Sequence, residues 1–406
     1  MKPKEKLNSH KKELLRMYYQ EKEKFDHLWI DFDLEFASDV GVNNLNNVMD
    51  NLALFERNEK FGLIVHINCA GGVIDAGFML HNILKNFDKP KIVVNEFFCA
   101  SAATFIWMAG DLRILKPYSI FLIHQARRTF GDITMKFKQT RRMVYEGQIT
   151  YNKMIKFYQS GSEMPISVIK KYLRAEMYLP YSEMIKYQMA DHVFDQRRVS
   201  KFKAGPDYQV LNLSYNRFKN IIKALIVPEN VHQNKVKKLM VNTTYNWMSF
   251  GDGLYMINLM LEIPIPIDFV INSDIMNGQY LMTLFGNNIY LIKPLSGVVF
   301  APQFTTRSGS QYDATLEDNI QRTKLLRKMI LDILDFKTKL PKKILDDILH
   351  KDFTFTSQDA VKYKLVDKVV TNQQFINLTK PKKPKKKISR KKSQKKESAE
   401  NIDPKD

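Results

Sequence analysis

Between Phe61 and Ala126 four short apolar runs, Leu63 to Ile67, Ile92 to Phe97, Leu112 to Leu115 and Ile120 to Ile123, stand among segments with a different period. Val73 to Phe87 has helical spacing and stops at Asp88 and Pro90, and Ala100 to Ala109 is a short apolar helix closed by Gly110. Upstream, the residues from Leu28 to Phe36 alternate as a strand does. Val42 to Phe55 then places Val42, Leu45, Val48, Met49, Leu52 and Leu54 at helical intervals. Strands alternating with helices predict an α/β layer fold.

Downstream, the spacing predicts a long amphipathic helix from Ile133 to Tyr158, ended by Ser160, Gly161 and Ser162. It is longer than covering one sheet requires, so part of it is expected to project or to pack on a partner. A helix after Pro165, a helix over Ser182 to Tyr187 and a strand at His192 to Phe194 close the unit. With 406 residues there is room for two cores. The division expected is a polar arm over 1–27, one domain over 28–205, a second over 206–372 and a disordered tail over 373–406. The arm carries one apolar stripe, Leu14, Leu15, Tyr18 and Tyr19.

Charge narrows the partners. The net +20 is concentrated where eleven Lys or Arg and no acid lie between Lys380 and Lys396, so nucleic acid is expected only through that tail. No run of 18 apolar residues predicts a membrane span, and the charged beginning of the sequence lacks the apolar core of a secretory signal. The two cysteines, Cys69 and Cys99, form no disulfide framework and no metal-ligand spacing; a reducing compartment and no metal are expected.

Three features of the opening stretch carry chemistry. Ser101 lies at the mouth of an apolar helix, where backbone N–H groups are unpaired and can face a developing oxyanion. His124 ends an apolar run and can take the hydroxyl proton. Gly71 and Gly72 form a turn that lets the backbone come close to a substrate. Ser101 and His124 each have a structural alternative, a helix-capping Ser and a core His, and Glu176 beside Arg174 reads by itself as a solvated charge. Cys99 lies two residues before Ser101, and alternation points it away, as a buried structural thiol.

INCAGG followed by a helix, CASAATFIWMAG, FLIHQ and SEMIKYQMADHVF occur in an order that resembles the proteolytic subunit of the Clp protease, over roughly residues 28–195. The resemblance implies a crotonase-like fold of β-β-α units and a serine endopeptidase working by acyl-enzyme chemistry on unfolded polypeptide. It assigns Ser101 as nucleophile, His124 as base, and Gly72 with the Ala102 amide as the oxyanion hole. Glu176 falls where the family usually has Asp, a departure that requires a compensating backbone shift. The resemblance also implies homo- or hetero-oligomeric rings, a separate AAA+ unfoldase, no cofactor, and a cytoplasmic, stromal or matrix location. No GxxxxGK[ST] loop for nucleotide is present in the sequence.

The segment 206–372 echoes the first. Lys116-Pro117-x-Ser119 recurs as Lys293-Pro294-x-Ser296, and Lys186-Tyr187-x-Met189-x-Asp191-x-Val193 as Lys362-Tyr363-x-Leu365-x-Asp367-x-Val369. Projection puts Asn277 at the nucleophile, Ala301 at the base, Tyr245-Asn246-Trp247 near the glycine pair, and Asp352 at the acid. Ser273, near the lost nucleophile, has no base and reads as structural, and His232 and His350 read as surface residues. The second copy is expected to lack chemistry and to keep, in the helix Leu316 to Phe336, the apolar spacing that assembly uses. The alternative to a peptidase is a catalytically inactive structural subunit. Acyl-CoA hydratase and Ser–Lys signal-peptide peptidase chemistry, which share the fold, fit the Ser and His order less well.

Overall fold

The computed structural model describes residues 7–34, 39–126, 137–175, 177–198, 209–212, 215–226, 238–243, 248–272, 275–292, 298–300, 316–351 and 353–379. The tail expected from 373 is helical over its first residues, Asn372–Thr379; the rest of it, together with Glu176, Tyr245-Asn246-Trp247, Ser273, His232, Ala301 and Asp352, lies outside the described residues.

The first half is a six-stranded parallel sheet. Strands β1 (Phe25–Ile30), β2 (Gly62–Cys69), β3 (Lys91–Ala100), β4 (Leu112–Leu115) and β6 (His192–Val193) follow in that order, and β5 (Ile120–Leu122) pairs with the far end of β3. Central β2 and β3 are buried along almost all their length, which is why they read as continuous apolar runs. Helices α2 (Asp39–Arg57), α3 (Ile74–Asn86) and α4 (Ala103–Trp107) cover one face. The expected helix from Ala100 begins later, because the chain pairs as strand through Ala100.

On the other face lies α1 (Ser9–Gln20), with Leu14, Leu15, Tyr18 and Tyr19 buried in a core shared with the second half. The stripe expected in the arm is therefore its packing face, and the first strand starts at Phe25 rather than Leu28. The long helix α5 runs Phe137–Ser160, then α6 (Ile166–Ala175) and α7 (Tyr181–Lys186) lead back to β6. Only the C-terminal part of α5 is covered; Phe137, Val144 and Tyr145 are 83%, 70% and 68% exposed, so this helix projects an apolar surface.

The second half has helices α8 (Tyr215–Ile226), α9 (Phe250–Met260), α10 (Asn277–Thr283), α11 (Leu316–Lys337), α12 (Lys342–Asp347), α13 (Ser357–Lys362) and α14 (Asn372–Thr379). A five-stranded parallel sheet joins β7 (Gln209–Asn212), β8 (Leu239–Thr243), β9 (Ile267–Ile271), β11 (Asn288–Ile292) and β14 (Lys368–Val370) in that order. A smaller sheet joins β10 (Ile275–Met276), β12 (Val298–Phe300) and β13 (Phe353–Phe355). Apart from the break between β9 and β10, its strands follow the same path as the first sheet.

Local geometry repeats as well. Among the described residues four that are not glycine have left-handed backbone, Ser101 and Asn277, Gln188 and Lys364, and in each pair the partners lie 176 positions apart. Lys91 N donates to Asp111 Oδ2 and Ile267 N to Asn287 Oδ1; Arg113 N donates to Asp191 Oδ2 and Ile289 N to Asp367 Oδ2. These four bonds keep the same separation. One residue is gained at β12, where Val298 pairs with Ile275 as Phe121 pairs with Cys99.

Candidate active site

The site forms at the C-terminal end of β3, where the parallel strands stop and loops are free to carry side chains. Ser101 is the first residue beyond that strand and has φ 53°, a conformation that costs an L-residue about 1 kcal/mol. Such a turn lifts the side chain out of the strand plane and starts α4 at once. It is held from several directions: Ser101 N donates to Leu122 O at 3.0 Å, and Thr104 N donates to Ser101 O at 3.1 Å. Thr104 Oγ1 also binds that carbonyl and lies 2.6 Å from the buried Tyr158 hydroxyl, so α5 braces the turn.

The glycine pair is built against this turn. Gly71 has φ 104° and Gly72 φ 136°, values that suit glycine. A β-carbon on Gly71 would come within 2.5 Å of Ser101 Cβ and 3.0 Å of Ala102 N. A β-carbon on Gly72 would run into the carbonyl of Leu34. Leu34 N donates to Gly71 O at 2.7 Å and Val73 N to Leu34 O at 2.8 Å, so the bridge uses groups on either side of Gly72 and not its own N–H. The predicted oxyanion donors, the amides of Gly72 and Ala102, thus belong to two loops packed on each other.

His124 follows β5, half-buried, on the strand that pairs with β3 directly before Ser101. Its Nδ1 lies 2.9 Å from the carbonyl of Gln125. A carbonyl only accepts, so this contact requires the proton on Nδ1 and leaves Nε2 with its lone pair, the form a general base needs. The chain on both sides of position 176 runs along this segment: Gln125 N donates to Leu173 O at 3.0 Å and Leu179 N to Phe121 O at 2.9 Å.

Cys69 and Cys99 face each other across β2 and β3 and are buried; burial pushes the Cys69 thiol up to about 12 and raises Cys99 well above its usual range. Neither is a nucleophile at neutral pH. Among the described residues no group of His, Cys, Asp and Glu is placed to hold a metal ion.

In the second half the same place is closed. Asn277 stands at the start of α10 with φ 48° and is buried, and Gly278 N donates to Met248 O at 3.2 Å. The amide 176 positions after Ala102 N is thereby occupied, and a β-carbon on Gly278 would run into Ser249 O. Met248 lies 176 positions after Gly72, the spacing that separates Asn277 from Ser101. His350 is exposed against Arg327, consistent with a surface residue.

Sequence reasoning missed a buried polar cluster on the opposite face of the first sheet, made of His27, His66, Glu96, Lys116, Lys22 and Glu262. The signal was present as Glu96 and Lys116 within otherwise apolar strand text. His66 Nδ1 lies 2.7 Å from Glu96 Oε1 and its Nε2 2.9 Å from His27 Nδ1; burial lowers both histidines below their usual pKa.

The sequence pattern of the Clp protease family matches residues 19–197. A Clp protease proteolytic subunit of Deinococcus radiodurans is 23% identical over 38% of this chain and 76% of its own length. One from Borreliella burgdorferi is 29% identical over 34% and 69%, and a chloroplastic one from Arabidopsis thaliana 21% over 34% and 50%. Two solved structures of a ClpP of Listeria monocytogenes, one a point mutant, cover 45% of this chain and 95% of theirs, at 18% and 17% identity and TM-scores of 0.34 and 0.36. No described helix is long and apolar enough to cross a membrane.

Proposed function

We propose that this chain, whose residues 19–197 match the Clp protease family, is a serine endopeptidase subunit whose second half is a non-catalytic copy of the first. The observation that carries the proposal is the left-handed Ser101 just beyond β3, packed against the Gly71–Gly72 loop and next to β5, which ends two residues before His124. Ser101 Oγ attacks a peptide carbonyl; His124 Nε2 takes its proton and returns it to the leaving amine. The amides of Gly72 and Ala102 receive the oxyanion, and Glu176 orients the imidazole from the segment that flanks β5. Water then releases the acyl group by the same route.

Support for a silent second half comes from Asn277 and from the amide of Gly278, already bonded to Met248. The common spacing of left-handed residues and strand-end hydrogen bonds supports a tandem origin. The relatives are named as subunits of ATP-dependent proteases, so polypeptide substrates, a separate ATPase and assembly through the exposed part of α5 belong to the same proposal. So does a location in a cytoplasm or an organelle stroma or matrix.

The second reading, an inactive structural subunit, draws on the sequence: Glu176 stands where the resemblance expects Asp, and its extra methylene needs a compensating backbone shift. A fluorophosphonate probe separates the two. Labelling of the full chain that disappears in Ser101→Ala supports the peptidase; an assembled wild type that does not label establishes the structural subunit.

A further inference from the structure

Helix α9 of the second half lies on the face of the first sheet opposite the candidate active site, and every residue from Gly253 to Met260 is buried. Most of this contact is apolar, yet its centre is polar. Glu262, just beyond the end of α9, is bonded by Lys116 and by Lys22 and accepts from the Tyr18 hydroxyl at 2.6 Å. Lys116 is also 3.8 Å from Glu96. Asn258 donates to Glu96 O at 2.6 Å and accepts from Tyr118 N at 3.3 Å. The lysines, both glutamates and Asn258 are all buried.

Two lysine heads therefore meet two carboxylates where water cannot reach them. Whichever side of a pair holds the proton, donors and acceptors match; remove one carboxylate and a lysine is left buried with its partner gone. A carboxylate just past a helix C-terminus also faces the negative end of the helix dipole, so Glu262 is not there to stabilise α9 itself.

We propose that Glu262 keys this surface: the face of the first sheet accepts a helix that brings a carboxylate to Lys22 and Lys116, and the second half is its dedicated occupant. The equivalent helix of the first half, α3, carries exposed Asn86 in the place of Glu262, so it could not supply that carboxylate. The second sheet has a different face at the same register: Asn242 for His66, Asn272 for Glu96 and Ile292 for Lys116, with Ile292, Met240, Val270 and Val370 forming a small apolar cluster with Phe375 of α14. The faces are not interchangeable, and the two halves can pair in one order only. These comparisons rest on the tandem reading above; the contact of Glu262 with its lysines does not.

The test uses the full chain, urea unfolding and amide hydrogen exchange. Glu262→Gln, isosteric and unable to carry charge, should lower the unfolding midpoint and raise exchange of α9 and of Ile92 to Phe97 at least tenfold. A triple variant, Tyr18→Phe, Lys22→Met and Glu262→Leu, should recover both the midpoint and the protection, because the groups that depend on Glu262 leave with it and Lys116 keeps Glu96. Asn86→Glu, on the exposed side of α3, should behave as wild type. Wild-type protection in Glu262→Gln overturns the proposal, and so does a triple variant as perturbed as Glu262→Gln, which would mean that shape alone sets the contact. If Glu262→Gln does not fold, the triple variant decides by folding or failing to fold. No readout uses peptidase activity, so an inert Ser101 leaves the result intact.

Discussion

Replacing Ser101 by glycine and by alanine separates its backbone role from its chemical one. Both variants remove the hydroxyl, so neither should react with a fluorophosphonate. Their stabilities should differ, because φ 53° is strained for any residue with a β-carbon and relaxed for glycine. Relief of the left-handed backbone is worth about 1–2 kcal/mol. Glycine's extra freedom in the unfolded chain removes about 0.4–1 kcal/mol of that gain. Ser101→Gly should therefore be more stable than Ser101→Ala by about 0.5–1 kcal/mol, a shift on the order of 0.3 M in the urea midpoint. Asn277→Gly, at φ 48°, should gain less, since asparagine tolerates this conformation better than serine or alanine. If Ser101→Gly is no more stable than Ser101→Ala, the strained turn is not the element that presents the nucleophile.

Three further outcomes follow from the same geometry. Gly72→Ala, strained at φ 136° and directed into the Leu34 carbonyl, should cost about 2 kcal/mol or more and abolish probe labelling, as urea unfolding and gel fluorescence would read. Cys69 and Cys99 should resist a thiol reagent at pH 8 in the native protein, because burial holds Cys69 up at about 12 and Cys99 well above its usual range; in denaturant both of the chain's cysteines should react. Burial pushes Lys116 down to about 8 against the opposing charge of Glu96. Between about 8 and its ordinary 10.5 the unfolded chain then binds more protons at this residue, so stability should rise with pH across that window. Unfolding midpoints measured from pH 7.5 to 10 would show it, and Lys116→Met should flatten the slope.

The parts of the fold that were legible in the sequence are those set by local pattern. Leu63 to Ile67 and Ile92 to Phe97 declare buried strands because both of their faces are covered, and Ala100 to Gly110 declares a helix mouth. The apolar stripe of α1 was legible too, but not its destination, since nothing local says that Tyr18 meets Glu262 across 244 positions. Glu96 and Lys116 were visible as charges in apolar text; their balance with Lys22 and Glu262 required four distant segments to be brought together.

The sequence by itself determined the α/β class and the order of the four motifs, because period and residue identity are properties of neighbours along the chain. Only the tertiary structure decided that Ser101 is held left-handed against Gly71, that Met248 occupies the amide of Gly278, and that one face of the first sheet is matched to Glu262. Those facts depend on distances between segments remote in sequence, and a strand-end turn or a buried charge is stable only when the groups that satisfy it arrive from elsewhere in the fold.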